Sequence, residues 1–128
     1  MSVIDKALGI LPTAAAVQAQ RLEIIAGNLA NSSTPNYKAR EIDFRQVMRD
    51  VGNDNRLDAT DVNHITSASE LTQNALRYRV PLSSARDGNT VESSIEEASY
   101  GDAAARYMAA LRFSEGTLSG LRKAYRGD

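Results

Sequence analysis

Ile4, Leu8, Leu11, Ala15, Gln18, Leu22, Ile25 and Leu29 recur at alternating steps of four and three. That spacing is a heptad seam, the pattern of a helix lying lengthwise along another helix. A second stripe one position out of phase, Val3, Ala7, Ile10, Ala14, Val17 and Ile24, widens the apolar face beyond what one partner helix covers. Near the other terminus Tyr100, Ala104, Tyr107, Leu111, Ser114, Leu118, Leu121 and Tyr125 repeat the spacing over a matching length. Two such seams predict an antiparallel coiled coil of the N- and C-terminal helices, with the middle looped out at one end. The fold class is mainly α. Residues 1–31 and 89–126 form one rod domain, and 32–88 connect them.

Ser2 and Asp5 suit the start of the first helix. Pro12 either kinks it or restarts it as a first-turn residue, and the unbroken heptad phase favours a bend within one rod. The run from Asn31 through Thr34 and Pro35 ends that helix near Asn31. Asp43 caps a short helix over 43–51, with Phe44, Val47, Met48 and Val51 on one face. Gly52 to Asp61 reads as a mobile surface loop, and the next segment is ambiguous, with a helical turn around Leu71 to Leu76. Leu76, Tyr78 and Val80 alternate with Arg77 and Arg79 in a short strand-like run that shows no partner in the sequence. Asp87 and Gly88 make a turn, and Asn89 with Glu92 forms a capping box opening the last helix, which runs to about Arg126. Ala103, Ala110, Thr117, Gly120 and Ala124 lie beside its seam as a small-residue track that admits another backbone.

A net charge of -1 gives neither a nucleic-acid footprint nor a polybasic membrane patch. The absence of cysteine removes disulfides, thiolate metal sites and cysteine catalysis. The N-terminus lacks the basic and apolar regions of a secretory signal, and no run is long and apolar enough to suggest a membrane span, so the default address is the cytoplasm. His64 is the only histidine and falls in a loop, which argues against a triad or a histidine metal site. Glu96 and Glu97 point about 100° apart on a helix, so they read as solvated, dipole-matching acids and not as a facing acid/base pair. Arg77 and Arg79 read as an exposed strand face. No catalytic, cofactor-binding or metal residue is assigned, and no cofactor or small-molecule substrate is expected. Gln18 and Ser114 either fix register within the seams or face another neighbour. Tyr37 is equally a core anchor or an interface residue.

AGNLANSSTPNY resembles the signature of the axial proteins of the bacterial flagellum, the rod and hook family. KAREIDF, YRVP and DGNTVE look like the proximal-rod member of that family. Asn36 stands where the family commonly has glycine, and Gly27 and Pro12 are further departures. The resemblance implies a structural subunit of the basal-body rod, exported without a cleavable signal peptide by the flagellar type III apparatus and assembled in the periplasm. That address replaces the cytoplasmic default. The implied partners are other copies of the chain, other rod proteins and the basal adapter of the membrane ring. Asn28, Ala30, Asn31, Thr34, Pro35 and Tyr37 match the motif and are assigned to its turn and packing. Ile4, Leu8, Leu11, Leu22, Ile25, Leu29, Tyr107, Leu111, Leu118, Leu121 and Tyr125 are assigned to the coiled-coil interface, and Ile4 and Leu8 also to export recognition. The alternatives are another flagellar axial subunit and a cytoplasmic helical adaptor.

Overall fold

The computed structural model of the chain describes residues 3–54 and 68–127. Their order is α1 (Val3–Leu8), α2 (Leu11–Ala30), β1 (Arg40–Ile42), α3 (Phe44–Asp54), α4 (Ala68–Asn74), β2 (Leu76–Tyr78) and α5 (Ser93–Arg126). At 1.5 Å per residue, the 34 residues of α5 span about 51 Å and set the length of the molecule.

α2 and α5 pack along each other, and two side-chain links fix their sense. Arg21 reaches Asp102 at 3.0 Å and Asn28 reaches Glu96 at 3.2 Å, so the numbering rises on one helix as it falls on the other. The pair is antiparallel. On α2 the expected seam positions Ala15, Gln18 and Ile25 are buried, while Leu22 and Leu29 are half-buried. On α5 the line of closest burial is Glu96, Ala103 and Ala110, seven residues apart, with Thr117 continuing it half-buried. It runs along the small-residue track. Tyr100, Leu111 and Tyr125 therefore lie outside the contact line within the chain, at 44%, 41% and 95% exposure. Small side chains let the helix axes approach, and a helix turns about 100° per residue, so Leu111 points away when Ala110 points in.

The first rod is two helices and not the single bent one that the heptad phase favours. Gly9 sits at φ +53, a conformation that glycine adopts without steric cost, and Ile10 completes the turn. α2 then restarts at Leu11 with Pro12 in its first turn, where a missing N–H interrupts no intrahelical bond. α1 still packs against α5.

The middle segment folds back onto α2. Val17, Ile42, Val47, Val51, Leu71 and Ala75 form a buried cluster, with Ile24, Phe44, Met48 and Leu76 packed around it. Two members of the second apolar stripe, Val17 and Ile24, are thus covered by the chain itself; Val3 and Ile10, further toward the N-terminus, remain exposed. The strand-like run acquires its partner here: β2 pairs antiparallel with β1, with Ile42 opposite Leu76 and Arg40 opposite Tyr78. The pairing stops at Tyr78, so Val80 lies beyond the strand. Asp43 accepts the Gln46 N–H at 3.1 Å and caps α3, which runs to Asp54, past the expected 51. α4 is a seven-residue helix where a single turn was expected. His64 and most of the expected mobile loop fall outside the described residues.

The chain turns into α5 differently from the expected capping box. α5 begins at Ser93, its N-cap Glu92 makes no side-chain cap, and Asn89 sends its side chain across to the end of α2. The Asp87–Gly88 turn is present, with the Gly88 N–H donating to the Ala85 carbonyl and Gly88 at φ +74.

Candidate functional site: a buried polar knot

Where α2 ends and α5 begins, four separated stretches of sequence converge on Asn28 and Glu96, both fully buried. The Asn28 Nδ2 donates to the Arg40 carbonyl at 2.8 Å and to Glu96 Oε2 at 3.2 Å. Its Oδ1 accepts from the Arg40 N–H at 3.0 Å and from the Tyr37 hydroxyl at 3.4 Å. One amide thus ties a helix, a strand and a second helix with all its polar capacity in use. Glu96 Oε1 accepts a charged bond from Arg79 Nη1, and Arg79 Nε reaches Glu41 at 3.2 Å. Burying a carboxylate this way is tolerable only with a paired charge and further hydrogen bonds, and Arg79 and Asn28 supply both.

This overturns the reading of Glu96 as a solvated acid and of Arg79 as an exposed strand residue: Glu96 is 0% exposed and the Arg79 side chain 13%. Helical spacing does separate Glu96 from Glu97, and Glu97 is exposed. The alternation in Leu76–Val80 places residues on two faces without saying which face meets a second helix. Arg77 stays exposed and bonds Gln46 at 2.6 Å.

A second set of bonds locks the loop after α2. Asn89, 5% exposed, donates through its Nδ2 to the carbonyls of Asn31, Ser32 and Thr34 at 2.9, 3.0 and 2.8 Å. Its Oδ1 accepts from the Val91 N–H at 2.7 Å. Asn31 turns back to the Gly27 carbonyl at 2.8 Å and takes the Thr34 hydroxyl at 3.1 Å. The Thr90 hydroxyl accepts from the Ala39 N–H at 2.8 Å, and the Thr90 N–H donates to the Tyr37 carbonyl at 3.0 Å. Asn36, at φ +61, faces Gly88: its N–H donates to the Asp87 carbonyl at 2.9 Å. Asparagine is among the few residues that tolerate this left-handed conformation.

Of the motif positions, Asn28, Asn31, Thr34 and Tyr37 come together in this network, while Ala30 and Pro35 are exposed at its edge. Tyr37 is half-buried. Among the interface positions, Ile25 is buried; Leu8, Leu11, Leu22, Leu29, Tyr107, Leu118 and Leu121 are half-buried; Ile4, Leu111 and Tyr125 are exposed. Arg79, Glu96, Asn89 and Thr90 are the residues that helical and strand periodicity does not pick out. Arg79 lies in YRVP and Asn89 and Thr90 in DGNTVE, the stretches that carry the family resemblance; Glu96 lies in neither.

Nothing in the knot offers chemistry: its polar groups are engaged with one another, and no nucleophile stands beside a base. Among the described residues no cluster of His, Cys, Asp or Glu is placed to hold a metal ion, and no helix is long and apolar enough to cross a membrane. The arrangement fixes the geometry of the hairpin end.

The family described as flagella basal body rod protein matches residues 10–38, which span α2 and the loop after it. Over nearly the whole chain the sequence is similar to flagellar basal body rod protein FlgB of three bacteria. The Aeromonas hydrophila protein is 35% identical over 97% of this chain and 96% of its own. The Escherichia coli K12 protein is 33% identical over 92% and 91%, and the Cereibacter sphaeroides protein 31% over 94% of each. Similarity of this extent covers both terminal helices and the polar knot between them, so the chain belongs to the FlgB family of flagellar basal body rod proteins and is a structural subunit, not an enzyme.

Proposed function

We propose that the chain is laid lengthwise into the proximal rod as a helical hairpin, with its outer apolar side chains covered by neighbouring subunits. The observation that carries this reading is the set of large apolar residues left exposed on α5, four of them on one side of the helix and Phe113 on the other. Tyr100, Met108, Leu111, Phe113 and Tyr125 are between 41% and 95% exposed. Such a density of exposed apolar side chains on one helix marks a surface that is buried in an assembly. The neighbours are other copies, other rod proteins and the basal adapter of the membrane ring, met through the interface positions from Ile4 to Tyr125. Asn28, Asn31, Thr34 and Tyr37 set the angle at which the hairpin end is presented, with Ala30 and Pro35 at its rim.

An asymmetric contact of one surface with a different surface continues into a helical filament, the form a drive shaft needs. Passage through the flagellar type III apparatus without cleavage, with Ile4 and Leu8 in the recognised segment, brings the subunit to the periplasm. The test is a deletion strain complemented with the chain, with basal bodies purified and probed by antibody. The chain is expected in the rod fraction and its loss is expected to leave cells without external filaments. Retention in the cytosol of complemented, motile cells would overturn the reading in favour of a cytoplasmic adaptor.

A further inference from the structure

We draw no further inference here: the strongest candidate, the exposed apolar ridge of Tyr78, Val80 and Leu82 at and beyond the end of β2, is an unpartnered face, and nothing in the structure shows what covers it.

Discussion

The Asn28 Nδ2 lies 3.2 Å from Glu96 Oε2, and this single buried contact joins the last turn of α2 to the first turn of α5. The same carboxylate holds Arg79, which reaches in from beyond β2. A charge pair buried between two helices and a strand adds little net stability when intact, yet removing one partner strands the other. Glu96→Ala is therefore expected to cost about 3–5 kcal/mol of unfolding free energy. Joint replacement, Glu96→Met with Arg79→Met, is expected to recover a large part of that loss. Urea unfolding of both variants and the two Met single variants is the check, and strict additivity would count against the pair.

Asn89 works differently, because it holds carbonyls of a loop and bears no charge. Asn89→Ala leaves the carbonyls of Asn31, Ser32 and Thr34 without their shared donor, at about 1–3 kcal/mol for a buried hydrogen-bonding group. The opening is expected to be local. Amide exchange across residues 31–37 should accelerate tenfold or more, while the amides of α2 near Val17 keep their protection. Uniform acceleration throughout the hairpin would show instead that the loop and the helices unfold as one unit.

These two sites mark the boundary of what the sequence makes legible. Heptad spacing locates the terminal helices, because Ala15, Gln18 and Ile25 repeat with the period of a packed helix, and the middle segment that joins the two seams at one end gives their antiparallel sense. It misplaces the contact line on α5, because the large residues Tyr100 and Leu111 carry the heptad phase, while the small-residue track of Ala103 and Ala110, read as lying beside the seam, permits the closest approach and takes α2 itself. Glu96 reads as a dipole-matching acid because its partner Arg79 stands 17 residues away, beyond any local period. Gly9 outweighs the unbroken apolar phase because its positive φ breaks the helix whatever the side chains on either side favour. The short strand shows no partner in the sequence for a similar reason: Ile42 and Leu76 are far apart along the chain and meet across the two strands within the cluster around Val17.

Asp102 gives the hairpin a pH dependence of known sign. Its hydrogen bonds from Arg106 and then Arg21 hold its carboxyl below the usual value of 3.8. A depressed folded-state value contributes stability that is fully present above the unfolded value and is lost as pH falls through the folded one. The carboxylate is solvent-exposed, so the contribution is small. Asp102→Asn is expected to lower the urea midpoint slightly at pH 7, with the gap from the parent chain closing only below about pH 3.8. A gap that persists undiminished at pH 2 would place its origin in packing and not in charge.

Gly88 and Asn36 oppose each other with left-handed backbones, and a Cβ on Gly88 would stand 2.5 Å from Asn36 Oδ1. Gly88→Ala carries a conformational cost of about 1–2 kcal/mol, and the clash adds a smaller amount because the atom it meets is the end of the exposed Asn36 side chain, which can turn aside. Relief can come only from Asn36, whose side chain is the obstacle and whose φ of +61 suits glycine equally well. Adding Asn36→Gly to Gly88→Ala is therefore expected to restore part of the lost stability, whereas Asn36→Gly alone changes it by less than about 1 kcal/mol. Thermal unfolding of the three variants separates the terms: a double variant no more stable than Gly88→Ala would show that φ strain, and not the contact with Asn36, sets the cost.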